Sequence, residues 1–240
     1  MTQPHITPLH EWNLSQEEAR ALQSELTKRI IREDQLEPVH FIAGVDMAIN
    51  ENNGMARAAV VLLSYPALEV VERHIYEEPI RMPYIPGLLS FREAPCVLGA
   101  FQQLRQRPQL VMVDGAGIAH PRRIGIASHL GLWLDLPTIG CAKSILTGRY
   151  VPSKLSEEAG AWEPLIDKGE IVGAAVRTRA RVNPMIISLG HRISLETSIE
   201  YVLKCARGYR LPEPTRQADK LSKDNAWQEP KDIIRQEPLL

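Results

Sequence analysis

The stretch that decides the fold is Leu110–Gly131, LVMVDGAGIAHPRRIGIASHLG. It opens on the apolar run Leu110 to Val113, with Pro108 before it and glycines after it, the pattern of a strand buried on both faces. The run ends on Asp114, so a carboxylate leaves the core at the strand's C-terminal end. In open α/β sheets that is the edge where ligands bind. Gly115 and Gly117 let the backbone approach a ligand closely, and His120, Arg122 and Arg123 follow. Taken alone, Asp114 reads more simply as a cap for the next helix. Other carboxylates must give it chemistry.

Outward from this stretch, a helix is predicted upstream over Ala94–Arg107 and a second downstream over about Gly125–Leu134. PTIGCAKS, residues 137–144, follows as a strand. Nearer the N-terminus, HFIAGVDMAI (40–49), Ala58–Leu63 and Leu68–Ile75 read as three strands of an antiparallel meander, with Asn52-Asn53-Gly54 as the first turn. Ser15 and Glu18 form a capping box for an amphipathic helix from about Gln16 to Arg32. The order strand, strand, strand, helix, strand, helix, strand is the ribonuclease H-like topology. The expected fold class is therefore α/β, a central mixed sheet of antiparallel meander plus parallel strands, flanked by helices.

Residues 144–169 read as an inserted loop. Ile171–Val176 and Met185–Leu189 read as a peripheral hairpin, with Arg177, Arg179 and Arg181 alternating toward one face. Ser194 caps a helix that presents Leu195, Ile199, Val202, Leu203 and Ala206, and Gly208 ends it. The tail from Leu211 is polar, with order expected through about Leu221. Residues 1–14 are expected to drape over the surface, and they and 222–240 are expected to be the least ordered. No repeat or linker interrupts the chain, so one domain over 1–240 is expected.

The chain has 240 residues, ample for a core, with 44% hydrophobic and 24% charged residues, the composition of an ordinary globular protein. Its net charge of −1 requires any nucleic-acid binding to use a local basic patch. Cys96, Cys141 and Cys205 are scattered and form no CxxC pair, which argues against a disulfide framework or a zinc site and fits a reducing cytosol. The opening MTQPHITPLHEW has no signal-peptide pattern, and no apolar run approaches membrane-spanning length. A cytoplasmic protein without a membrane segment is expected.

In this topology the first and fourth strands lie side by side. Asp46 falls inside the first strand, where an unpaired charge is costly, and Asp114 leaves its neighbour. Glu93, at the start of the helix entering the fourth strand, points to the same end of the sheet. Converging carboxylates form a site for a hard divalent cation, most simply Mg²⁺, with Mn²⁺ able to substitute. The bland alternative for Asp46 is a hydrogen-bonded strand-end residue, and the joint placement of the three weighs against it.

The segments GVDMAI, PYIPGLLSFREAP, DGAGIAHPRRIGIASHLG, GCAKS, SLGHRISLETS and YRLPEPTRQAD together closely resemble the endonuclease V family over about Phe41 to Asp219. The resemblance implies a ribonuclease H-like, Mg²⁺-dependent enzyme that recognises deoxyinosine. It implies cleavage of the second phosphodiester bond 3′ to the lesion, leaving a 3′-hydroxyl and a 5′-phosphate. Asp46, Glu93 and Asp114 fall on the family's acidic catalytic residues, and Asp219 on its C-terminal metal-site position. Lys143 falls on the family's lysine, where it would orient water or bind phosphate; its alternative is a solvated surface lysine. A lone histidine such as His120 is usually structural, but the motif match places it among the catalytic residues, in contact with phosphate or nucleobase.

Pro83-Tyr84-Ile85-Pro86-Gly87 holds an aromatic between stiffening prolines, and the resemblance makes Tyr84 a wedge that fills the gap left by an extruded base. The other reading of Tyr84 is core packing in a turn. Gly87, Leu89, Gly115 and Ile126 match the family's base pocket. Arg122, Arg123, Arg149 and Arg192 are candidates for phosphate contacts or solvated surface charges. The expected partner is deoxyinosine-containing DNA, with inosine-containing RNA also open, and a monomer is expected. Two rivals stand beside this reading. One is a ribonuclease H-like nuclease or resolvase without an inosine pocket; the other is a nucleic-acid-binding module with a decayed site.

Overall fold

The computed structural model describes residue 6 and residues 8–224. Eight strands form one mixed sheet: β1 (Phe41–Asn50), β2 (Met55–Ser64), β3 (Val70–Pro79), β4 (Leu110–Val113), β5 (Thr138–Ala142), β6 (Trp162–Asp167), β7 (Glu170–Val176) and β8 (Met185–His191). The spatial order is β3-β2-β1-β4-β5-β8-β7-β6. β1, β4 and β5 run parallel and every other neighbouring pair is antiparallel. The helices are α1 (Gln16–Thr27), α2 (Leu89–Phe101), α3 (Ile126–Leu134), α4 (Leu195–Lys204) and α5 (Glu213–Lys223).

β1 pairs with β4 in the register Ile42↔Leu110 to Val45↔Val113, which brings Asp46 and Asp114 to the same end of the sheet. Side chains alternate across β1. Ala43 and Val45 enter the core with α2 and α3, whereas Ile42 enters the core with α1, α4 and α5. Burying each large side chain of these cores, such as Phe101 or Leu130, contributes about 1.5–3 kcal/mol.

Several elements depart from the sequence reading, each for a local reason. The capping box at Ser15 forms, with Ser15 N–H donating to Glu18 Oε2 at 2.8 Å, but α1 stops at Thr27 rather than Arg32. Beyond it the chain is held instead to Arg192, whose N–H donates to the Ile31 carbonyl at 2.7 Å. α2 begins at Leu89 and runs through Pro95 to Phe101, so it starts earlier and ends earlier than the expected Ala94–Arg107. The buried Phe91, Ala94, Val97 and Leu98 carry the helix past the proline. Residues 144–169 contain a strand, β6, whose Pro164 is tolerated because β6 lies at the sheet edge. The hairpin is not peripheral: β8 is buried throughout and pairs with β5. Its arginines lie beyond β7, where Arg177 Nε donates to the Ser156 carbonyl at 2.7 Å. The polar tail forms α5, whose buried residues include Pro214, Thr215, Ala218 and Ser222. The expectations for residues 1–5, 7 and 225–240 lie outside the described residues.

Residues 8–14 lie on the outside of the fold as expected, but Leu9, His10, Trp12 and Leu14 pack onto it. Trp12 stacks on Trp133 with ring centroids 4.9 Å apart, and His10 Nε2 lies 2.8 Å from His129 Nε2. His129 is fully buried and also contacts Ser90 Oγ at 3.0 Å. Burial, helped by the neighbouring His10, lowers its pKa to about 3. An unfolded histidine titrates near 6.5, so below that pH the unfolded chain takes a proton that the folded imidazole refuses. Stability from this group is full above about pH 6.5 and is lost as pH falls toward 3. The stability difference between wild type and His129→Gln should therefore shrink by about 1.4 kcal/mol per pH unit across that window. Urea melts at a series of pH values check it, and a pH-independent difference would count against a neutral, buried His129.

Candidate active site

Asp46 is 6% exposed in the middle of β1, one residue past its pairing with β4, and accepts a hydrogen bond from Ser222 of α5. Asp114 follows β4, and its N–H donates to the Val45 carbonyl at 2.9 Å, which ties the two carboxylate-bearing chain segments together. Asp219 comes from α5, packed across β1 and β2. One carboxylate oxygen from each of Asp46, Asp114 and Asp219 lies within 4.8 Å of the others. Lys143, just past β5, reaches into the group with Nζ 2.5 Å from Asp114 Oδ2 and 2.7 Å from Asp219 Oδ1.

The electrostatics follow from this crowding. Burial raises the Asp46 carboxyl to about 7, with repulsion from Asp114 adding to it against the Ser222 hydrogen bond and the Lys143 charge. Burial would raise Asp219 as well, but hydrogen bonds from Lys143 and Lys223 hold it below its usual range. Burial opposes the charge on Lys143, yet Asp114 and Asp219 hold it well above an ordinary lysine. Asp114 Oδ2 is buried without an aligned hydrogen-bond donor, its lysine contact being ionic. Three carboxylates that each bring an oxygen to one point fit a hard divalent cation.

Glu93 stands apart from the tight group. It sits in the second turn of α2 rather than at the helix start, and the structure does not bring its oxygens into the three-carboxylate cluster. Burial, then the Asp46 charge, pushes its carboxyl up to about 8, so it feels the cluster electrostatically.

Tyr84 is 60% exposed in the loop between β3 and α2, which rules out the core-packing reading. Pro83 and Pro86 are exposed beside it, while Ile85 packs on Leu88 and Phe91. The loop is pinned at Gly87, whose carbonyl accepts from Gln23 Nε2 at 2.9 Å and Arg122 Nη2 at 2.6 Å. Gly87 has φ +79, a conformation that favours glycine, and a Cβ there would displace the Arg122 guanidinium, whose Nη2 lies 2.6 Å from that position. Gly115 and Ile126 are in contact, a Cβ on Gly115 lying 2.5 Å from Ile126 Cγ2, and Leu89 opens α2.

His120 is 4% exposed and accepts from the Arg122 N–H at 3.1 Å. Burial, then Arg122, lowers its pKa to about 4, the environment of a neutral histidine bracing the loop rather than a group open to substrate. Arg122 is occupied by Gln23 and Gly87, and Arg123 by Asp167 and Glu170 at 2.8 and 2.6 Å. Arg192 departs furthest from a phosphate role. It follows His191, which pairs with Thr138 at the far end of β5 from Lys143, and it binds Asp135 at 2.6 Å. Arg149 remains exposed. Two residues were missed. Gln23 could have been found as a polar residue on the inward face of α1 between Ala19 and Leu26. Ser222 had no signal in the sequence.

A sequence model of the Endonuclease V family matches residues 24–220. Endonuclease V of Gloeobacter violaceus is 56% identical over 216 residues, covering 89% of this chain and 87% of its own. The crystal structure of endonuclease V from Streptomyces avermitilis superposes with a TM-score of 0.83 at 40% identity, covering 92% of this chain and 96% of that one. Endonuclease V of Ciona intestinalis is 32% identical with a TM-score of 0.75, covering 86% of this chain and 95% of that one. Its crystal structure holds a 24-mer DNA containing an inosine followed by a ribo-adenosine. A mixed α/β fold shared with endonucleases over nearly its whole length, carrying in this chain a carboxylate cluster that could hold a cation, defines this protein as a nuclease. The chain belongs to the endonuclease V family.

Proposed function

We propose that the chain is a DNA repair endonuclease that recognises deoxyinosine and hydrolyses the second phosphodiester bond 3′ to it, leaving a 3′-hydroxyl and a 5′-phosphate. The observation that carries this reading is the meeting of Asp46, Asp114 and Asp219 at one sheet edge with Lys143 among them. Its family membership and the inosine-containing DNA held by the Ciona relative support the substrate. The fold is read as ribonuclease H-like, supported by the strand order β3-β2-β1-β4-β5. The chain is taken to act as a one-domain cytoplasmic monomer. Among the described residues no helix is long and apolar enough to cross a membrane.

In this reading Asp46, Asp114 and Asp219 hold Mg²⁺, and Glu93 completes the acidic set. Held there, Mg²⁺ would supply Lewis acidity for a water nucleophile and for the charge on the phosphate. Lys143 contributes a fixed positive charge for the phosphate, and Asp114 and Asp219 hold it in place. The loop Pro83–Gly87 inserts Tyr84 where the lesion base leaves the stack. Gly87, Leu89, Gly115 and Ile126 line a pocket for the flat, amine-free hypoxanthine edge. Arg122, Arg123 and His120 support this recognition loop and its neighbours.

The test is cleavage of an inosine-containing duplex beside an undamaged control, with Mg²⁺ and with EDTA. Cutting confined to the inosine duplex with Mg²⁺ is expected. Equal cutting of both duplexes would favour a general nuclease, and binding without cutting would favour a decayed module. An inosine-containing RNA arm belongs in the same assay, since the Ciona ligand carries a ribonucleotide after the inosine. Tyr84→Ala should weaken selective binding to inosine-containing strands by about 1–3 kcal/mol, the range for one aromatic–base contact. Competitive binding measurements read this directly, and unchanged discrimination would remove Tyr84 from lesion sensing.

A further inference from the structure

α5 delivers more to the site than Asp219. Ser222 lies three residues further along the same helix, fully buried at 0% exposure, and its hydroxyl donates to Asp46 Oδ2. The Asp219 carbonyl lies 3.1 Å from the same hydroxyl. One hydroxyl hydrogen thus faces two acceptors, and the carboxylate is the stronger. The helix is seated without slack. Gly44 precedes Asp46 by two residues on the same face of β1, and a Cβ there would lie 1.9 Å from the Pro214 carbonyl oxygen.

An aspartate carboxylate turns easily about its last torsion, so a buried donor that holds one oxygen also fixes where the other one points. We infer that Ser222 is a positioning residue for the acidic site, its hydroxyl fixing Asp46 so that the carboxylate stays turned toward Asp114 and Asp219. This rests on the reading of those carboxylates as a cation site. It also makes α5 a coupling element, since one helix supplies a carboxylate and orients a second on the central strand.

Mn²⁺ titration of the cation-free protein, followed by loss of the free-ion paramagnetic resonance signal, tests the inference without DNA. Ser222→Ala should bind Mn²⁺ on the order of 10- to 100-fold more weakly, the range for removing a hydrogen bond that orients a ligating side chain. Its kcat on the inosine duplex should fall at limiting cation while KM for the duplex stays the same. Raising Mn²⁺ should recover the rate. Ser222→Cys, similar in size but a weak donor, should fall between and is read in place of alanine if that variant does not fold. A folded Ser222→Ala with wild-type Mn²⁺ affinity would overturn the inference alone. Absence of Mn²⁺ binding by the wild type would remove the cation site and this inference with it.

Discussion

Asp46→Asn and Asp114→Asn should each lose cleavage of inosine-containing duplex while keeping the fold. Loss of a single preorganised charged group at a reaction centre costs on the order of 10²–10³-fold in kcat, and both variants should reach at least that. The stability readout separates a catalytic role from a structural one. Burial and the Asp114 charge raise the Asp46 carboxyl to about 7, so the folded chain resists its ionisation. A carboxyl raised in the folded state costs stability as pH climbs from its unfolded value near 4 toward 7. Without divalent cation, Asp46→Asn should therefore melt above wild type at pH 8 and lose that advantage near pH 4. Asp114→Asn gives up a carboxylate paired with Lys143 and has no such gain. Single-turnover cleavage and thermal melts decide the matter together. Near-normal turnover in either variant would take that residue out of the reaction centre.

Asp46 and Asp114 were legible because a charge inside an apolar strand has no inexpensive explanation, and the strand order alone makes the two strands neighbours. The prolines around Tyr84 mark a stiff loop in sequence, but not whether its ring packs inward, and only the fold shows it 60% exposed. The arginines show where such reading ends. The charges of Arg122, Arg123 and Arg192 are visible in sequence, but their partners Gln23, Glu170 and Asp135 are 99, 47 and 57 residues away, respectively. A surface charge and a structural clamp look the same until the chain is folded. α5 was invisible for another reason. Its inward face carries Pro214, Thr215, Ala218 and Ser222, chosen to fit against Gly44 and Asp46 rather than to be apolar, so no hydrophobic period announces it. The same property hid Ser222. Glu93 was read at a helix start, but the apolar helix begins at Leu89 and continues through Pro95, which puts Glu93 in its second turn.

Removal and exchange of the cation form the second large effect. The cluster offers only carboxylate oxygens, with no histidine or thiolate among its three members, so hard ions are the expected occupants. EDTA should abolish cleavage, and either Mg²⁺ or Mn²⁺ should restore it. Ca²⁺ suits the same oxygens but accepts longer, looser coordination. In Ca²⁺ the protein should therefore retain inosine-containing duplex in a gel shift while cutting it at least about 10²-fold more slowly, as expected when charge is supplied without the required geometry. Addition of Mn²⁺ to that preformed complex should release the cut strand. Lys143 gives the experiment its internal control. Its ammonium group touches Asp114 and Asp219 and keeps part of the positive charge in place when no divalent ion is bound. Some duplex binding should accordingly survive in EDTA and weaken in Lys143→Ala, whereas cutting in EDTA should be absent from both proteins. Vigorous cutting in EDTA, or equal rates in Ca²⁺ and Mg²⁺, would show that the carboxylates serve the lysine and the fold rather than a cation.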